Sequence, residues 1–206
     1  MAESNDNTGV PAPVFLVEGD LVALGPFDRS HIDLWVRWIN NVDATRTLGR
    51  IGVFTREEEQ RFYETATSGA ANAVSFTIFE RSSSLPIGTT QLREINHQFG
   101  TATFGILIGD PAFWNRGFGT EATRLVLDFA FNALGLHNVL LQVYGNNPRG
   151  QRAYENAGFH VIGRRRQSFR LGQVRYDAIM MDAVADEFES PVLASRLHEP
   201  QTLRGQ

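Results

Sequence analysis

The chain has no cysteine among its 206 residues. Disulfides, thiolate metal sites and a cysteine nucleophile are therefore excluded. Its five histidines, His31, His97, His137, His160 and His198, are scattered and share no metal-ligand spacing, so no metal is expected. No apolar run approaches the roughly 18 residues that suggest a membrane span. Residues 1–13 are polar and lack the apolar stretch of a signal peptide. The net charge of −4 is mild and speaks against a nucleic-acid partner. These absences predict a cytoplasmic protein with no membrane and no nucleic acid as partner.

What is present is apolar enough for a substantial core, with 42% hydrophobic and 11% aromatic residues. The length fits one domain with tails. Residues 1–13, with their Glu, Ser, Asn, Asp and Pro, are expected to be a disordered segment. A strand is predicted near Leu21–Leu24, then a helix begun by Ser30 with Asp33 at the capping-box position. Ile32, Trp35, Val36 and Ile39 make its apolar stripe; Trp38 lies off it and suits a lid. Thr55, with Glu58 three residues on, starts a second helix that turns Phe62, Tyr63 and Ala66 inward.

Three strands follow with short spacers, which favours antiparallel hairpins: Val74–Phe79, Ile87–Ile95 and Thr101–Ile108. Gly105 inside the third suggests a bulge or a close backbone approach. Ala122, Leu125, Val126, Phe129, Ala130 and Ala133 keep helical spacing to a stop at Gly135. A strand at Asn138–Tyr144 precedes a short helix that Asn147-Pro148 opens and Gly158 closes. Strands at Phe159–Gly163 and Tyr176–Met181, joined by an arginine-rich segment, end the domain. Those arginines read best as a solvated hairpin. The expected domain is 14–182, with a tail over 183–206. The order of elements predicts an α+β fold: a mixed, mostly antiparallel sheet flanked by helices.

The chemistry concentrates at Trp114-Asn115-Arg116-Gly117-Phe118-Gly119-Thr120-Glu121-Ala122. A strand, a glycine-containing turn and a helix start in this order aim backbone N–H groups and a positive helix end at one place, which is an anion site. Only Gly117-x-Gly119 is present, without the third glycine of a dinucleotide fingerprint. No Walker lysine follows, so a triphosphate is also disfavoured. A pyrophosphate-bearing cofactor of another kind remains, as does a plain strand-to-helix turn.

At these residues the chain resembles the GNAT acetyltransferases, and within them the Rim-type branch that acetylates protein N-termini. The loop above matches that branch's tryptophan-glycine-x-glycine signature, with Asn115 in place of the first glycine. Asn147-Pro148-Arg149-Gly150 through Ala157-Gly158-Phe159 matches the family's second signature, with Gly150 in place of its usual serine. The closing hairpin with Asp177 matches as well. The resemblance implies a GNAT-like sheet with splayed central strands and acetyl-CoA as co-substrate.

It further implies that the amides of Arg116, Gly117, Phe118, Gly119 and Thr120 hold the pyrophosphate. Backbone groups near Leu107 and Ile108 would pair with the pantetheine arm. Asn147, with Arg152, would complete the cofactor site, and Tyr154 would face the sulfur as the acid. An amine attacking the thioester must first lose a proton, since a free alkylamine has a pKa of about 10. A backbone N–H at a bulge near Ile106 would serve the oxyanion. The branch's usual strand glutamate is Thr103 here, which leaves Glu94, His97 or Asp110 as candidate bases. The implied acceptors are a protein N-terminus or a small amine: a polyamine, an amino acid or an amino-bearing antibiotic such as an aminoglycoside. A homodimer is compatible with the exposed strands. The missing glutamate also admits a second class, a CoA-binding regulator without turnover.

Overall fold

The computed structural model describes residues 13–69 and 72–197. The expectation of disorder over 1–13 thus falls outside the described residues, Pro13 apart. Among the described residues no helix is long and apolar enough to cross a membrane.

One eight-stranded sheet carries the fold, in the order β1-β2-β3-β4-β5-β6-β8-β7. Its first half is an antiparallel run of β1 (Val17–Glu18), β2 (Val22–Pro26), β3 (Val74–Glu80), β4 (Leu85–Asn96) and β5 (Thr101–Ile108). Its second half contains β6 (Asn138–Tyr144), β7 (His160–Leu171) and β8 (Val174–Val184). The expected α+β, mostly antiparallel architecture is what is found.

Side-chain alternation along β5 sorts two cores. Phe104, Ile106 and Ile108 join the larger one with Ala122, Leu125 and Val126 of α4 (Phe118–Asp128). Leu107 points the other way, onto Phe27, Trp35, Trp38 and Ala66. This smaller core is built by α1 (Ile32–Ile39) and α3 (Arg56–Thr67), with the short α2 (Val42–Thr45) between them. Helices therefore cover both faces of the sheet.

The join between β5 and β6 positions the site. Those strands are parallel and pair only over Thr101–Thr103 and Asn138–Leu140. Beyond that, β5 keeps its register with β4 as far as Ile108, while β6 stays with β8 as far as Tyr144. The two halves of the sheet part, and the edge of β5 that faces β6 loses its ladder partner. The expected bulge is not at Gly105, which lies in register opposite Gln91. The irregularity falls between Arg93 and Asn96 instead, where Glu94 is left-handed at φ 55°.

Other local readings also shift. Asp28, not Ser30, caps the first helical turn, accepting from the Ser30 N–H at 2.7 Å. Asp33 instead pairs with Arg56 at 2.7 Å. Thr55 and Glu58 form the full capping box of α3. The arginine-rich segment forms the expected solvated hairpin, with β7 running on to Leu171 and β8 starting at Val174.

Glu121 holds the first hairpin onto α4. Its carboxylate accepts from the N–H groups of Asp20, Leu21 and Val22 at 2.9, 2.7 and 2.7 Å. Replacing it by alanine leaves three turn donors unpaired. We expect Glu121→Ala to cost about 2–3 kcal/mol, read as a lower denaturant midpoint at unchanged m.

Residues 183–197, expected as part of a tail, are folded onto the domain. A helical turn at Ala185–Glu187 and α6 (Leu193–Leu197) follow β8, and Leu193 is buried. Residues 198–206 lie outside the described residues. The anchor is Asp128, fully buried at the end of α4. It accepts from the Ser190 hydroxyl at 2.6 Å, from the Val192 and Leu193 N–H groups at 3.0 and 2.8 Å, and from Asn132 at 2.8 Å. At this point α4 widens into one π turn, Phe129–Ala133, closed by the Leu134 N–H on Phe129 O at 3.1 Å. Phe131 then meets Phe188 at a centroid distance of 5.3 Å.

Candidate active site

The opening between β5 and β6 leads into two cavities. The first, about 390 Å³, lies between the end of β5, the loop 113–120 and α5 (Pro148–Ala157). Its loop turns through Asn115 at φ 58° and Gly117 at φ 86°. The left-handed region is cheap for glycine, which explains Gly117 at the N-cap. The turn starts α4 at Phe118, and its first internal bond is Glu121 N–H to Gly117 O at 3.0 Å. The N–H groups of Phe118, Gly119 and Thr120 precede that bond and face no earlier turn of helix.

Every charged side chain on this wall is an arginine: Arg149 and Arg152. Arg149 lies over the Trp114 ring at 4.1 Å, and the Trp114 indole N–H is fixed on Ile108 O at 2.8 Å. Burial lowers the Arg149 pKa, and the positive charge of Arg46 lowers it further. An anion in this cavity would relieve both penalties. The signal that could have found Arg149 is its place one residue after the helix-opening proline.

Of the residues assigned to a cofactor, the structure brings Leu107, Ile108, Gly117, Phe118, Gly119, Thr120, Asn147 and Arg152 to this wall. Arg116 is not among them. Its guanidinium turns back to Ala112 O at 3.3 Å and lies over Phe113 and Phe118. Asn147 caps α5, its Oδ1 accepting from the Gly150 N–H at 2.9 Å. A side chain at Gly150 would overlap the Asn147 amide, which accounts for glycine where the resembling motif has serine.

The second cavity, about 260 Å³, lies on the α1–α3 side. Six residues line both: Thr47, Leu48, Ile106, Leu107, Asn147 and Tyr154. Tyr154 thus stands where they meet, held edge-on by Phe104 and Phe159, each at a centroid distance of 6.2 Å. Burial pushes its phenol up to about 12, against the opposing charge of Arg149. The hydroxyl therefore keeps its proton at any physiological pH.

Aromatic rings wall the second cavity. Phe27 stacks on Trp35 at 4.1 Å and 6°, beside Trp38 and Phe62. Trp35 and Trp38 are both buried and both line it, so the expected division into core and lid does not hold. The Trp35 indole N–H is buried without a partner among the described residues.

Glu59 is the finding that the sequence reading missed. It is only 6% exposed and is the one carboxylate on either of these two walls. Burial raises its pKa above the usual carboxylate range, with the nearby Arg50 opposing. Its signal was available: Glu59 lies one helical turn before Tyr63 and two before Ala66, on the inward stripe of α3.

The expected bases do not reach either cavity. The left-handed turn at Glu94 directs it to solvent, where its carboxylate accepts from the Thr103 hydroxyl at 2.7 Å. His97 sits exposed in the β4–β5 turn. Asp110 caps the turn at Ala112, accepting from its N–H at 2.9 Å.

Comparison with known proteins agrees with this geometry. The Acetyltransferase (GNAT) domain family matches residues 22–160. The chain is 38% identical to the probable N-acetyltransferase YjcK of Bacillus subtilis over 103 residues, 50% of this chain and 56% of YjcK. It is 32% identical to the spermidine N(1)-acetyltransferase of Escherichia coli over 116 residues, 56% of this chain and 60% of that protein. The chain thus spans less than two thirds of the length of these curated relatives. Neither carries the name of the Rim-type branch that the loop resembles. A crystal structure of spermidine N-acetyltransferase from Vibrio cholerae, in complex with CoA and spermine, shares the fold at a TM-score of 0.75. It is 23% identical, and the match covers 82% of this chain and 98% of that one. A glycine turn feeding α4, an asparagine-capped α5 and a sheet that parts between β5 and β6 are therefore the parts of a known domain, and the chain belongs to the GNAT acetyltransferase family.

Proposed function

We propose that the protein is an acetyl-CoA-dependent N-acetyltransferase that acts on a primary amine by direct transfer in a ternary complex. The observation that carries this reading is the meeting of two unlike cavities at Tyr154. One is walled by arginines and a helix start and has no carboxylate; the other is walled by aromatic rings and holds one buried carboxylate, with Arg50 and Arg93 also lining it.

The first cavity suits the cofactor. The N–H groups of Gly117 to Thr120 would hold the pyrophosphate, with Arg149 and Arg152 as cations. No carboxylate on that wall opposes an anion. The open edge of β5 would bond the amides of the pantetheine arm through Ile106 and Ile108, since Leu107, expected in this role, lies in register opposite Thr89 with its carbonyl on the β4 side. The Asn147 side chain lies on the same wall. When bound, acetyl-CoA supplies a thioester-activated acetyl group and a thiol as leaving group.

The chain's own residues handle the protons. Glu59 would orient the incoming ammonium and take its proton directly or through water, its raised pKa bringing the pair closer in acidity. Tyr154, neutral at its hydroxyl, would donate to the departing sulfur. The relatives' names support a polyamine acceptor; the Rim-type resemblance supports a peptide N-terminus.

The test is thiol release from acetyl-CoA across a panel of amines. With no cysteine in the chain, a thiol reagent reads free CoA alone. With no lysine, no side-chain amine competes as acceptor. Amine-dependent release is expected. Binding of acetyl-CoA without release for any amine would sink the enzyme reading and leave the CoA-binding regulator.

Glu59 also makes a stability prediction. Its folded pKa is raised, so ionising it in place costs stability once the pH exceeds the unfolded value near 4.5. Glu59→Gln should therefore raise the melting temperature at pH 7, by about 2–4 °C for each kcal/mol relieved. The gain should vanish below pH 4.5, while turnover falls by about 10²-fold or more.

A further inference from the structure

We infer that the acceptor is not a polyamine but a small amine with an apolar, ring-sized body and one anionic group. Its ammonium sits at Glu59 and its anionic group at Arg93 and Arg50. This rests on the acetyltransferase reading above and concerns its second substrate.

Three side chains with full charge line the acceptor cavity: Glu59, Arg50 and Arg93. The wall therefore carries one negative and two positive charges. Arg93 forms no ion pair within 4.0 Å among the described residues, and neither does Arg50, whose guanidinium lies over the Phe54 ring at 4.7 Å. The single carboxylate already feels the charge of Arg50.

Spermidine would bring about three positive charges into this space, since each alkylamine has a pKa near 10. One carboxylate can pair with one of them. The others would meet the like charge of two arginines. A zwitterion fits this wall charge for charge: ammonium on Glu59, anion on the arginines. The remaining wall is Phe27, Trp35, Trp38 and Phe62, which buries an apolar body.

The spermidine-named relative of Escherichia coli matches 56% of this chain at 32% identity, so its name does not fix the acceptor here. Specificity then follows from repulsion as much as attraction, because Arg50 and Arg93 turn away a second cation.

The experiment compares phenylalanine, phenethylamine and spermidine as acceptors, for the native protein and for Arg93→Gln. Phenethylamine is phenylalanine without the carboxylate. We expect kcat/KM for phenylalanine to exceed that for phenethylamine at least 10-fold, and that for spermidine by more. In Arg93→Gln the first ratio should shrink toward one, through a higher KM for phenylalanine. Spermidine as the best acceptor, or an equal loss on both aromatic amines in the variant, overturns the inference and leaves the enzyme reading intact. Quenching of tryptophan fluorescence by the same three amines, with CoA present, provides a readout that needs no turnover. Quenching by phenylalanine, weakened in Arg93→Gln, shows that the cavity binds this class of amine, and if thiol release then fails it is the acetyltransferase reading that falls. Quenching by spermidine alone, or by none of the three, overturns it.

Discussion

Replacing Tyr154 by phenylalanine should lower kcat by about 10²–10³-fold, within the usual range for a lost general acid. The ring contacts with Phe104 and Phe159 survive the change, so the melting temperature and the affinity for acetyl-CoA should hold. The loss then belongs to the hydroxyl. The pH profile gives a second check. With its phenol at about 12, Tyr154 does not ionise in the assayable range, so it produces no alkaline limb below that pH. The acid limb comes from Glu59, which must be ionised to accept a proton and which burial holds above the usual carboxylate range. That limb should persist in Tyr154→Phe and disappear in Glu59→Gln. An unchanged kcat in Tyr154→Phe would remove the residue from the mechanism and return it to packing.

Asp128→Ala should destabilise the domain by about 3–5 kcal/mol, since each buried donor that loses its acceptor costs on the order of 1 kcal/mol or more. Four donors lose their acceptor at once: Ser190, Val192, Leu193 and Asn132. At 2–4 °C per kcal/mol for a chain of this size, the melting temperature should fall by on the order of 10 °C. Asparagine keeps the shape but presents one oxygen where two are used, so Asp128→Asn should fall between. Proteolysis offers an independent view: the segment from Ala185 to Leu197 should become cleavable in the alanine variant well below its melting temperature. Asp128 lines neither cavity, so kcat/KM measured on the folded fraction at 25 °C should stay within about threefold, as expected of sites without shared partners. Release of the segment with no loss of stability would show that it is a passenger.

These two residues mark opposite ends of what could be read in advance. Tyr154 was legible through the resemblance alone, because it holds the matching position in the family signature that Asn147-Pro148 opens and Gly158 closes. Asp128 was not. Three of its four donors lie 62 to 65 residues later, in a stretch whose composition alone suggests a tail. A carboxylate inside an apolar stripe was the visible clue, as at Glu59, and its meaning depends on which backbone N–H groups arrive beside it. Glu94 and His97 show the reverse error. Both sit close in sequence to the strand that lines the cleft, but the irregularity between Arg93 and Asn96 turns Glu94 out, and His97 lies in the turn beyond the strand. A one-residue irregularity reverses which face a side chain takes, and no local pattern announced it.

By itself the sequence determined the local chemistry: where strands alternate, where helices begin and end, and that a glycine turn opens α4 beside an asparagine-capped α5. Those follow from short-range sterics and hydrogen bonding, which act within a few residues. Only the tertiary structure decided that β5 and β6 part after Thr103, that Glu59 and not Glu94 faces the opening, and that Asp128 draws the C-terminal segment onto the core. Each of these depends on groups far apart in the chain meeting in a space from which water is excluded. There the cost of an unpaired charge selects the arrangement, and that cost is set by the assembled neighbours rather than by the order of the residues.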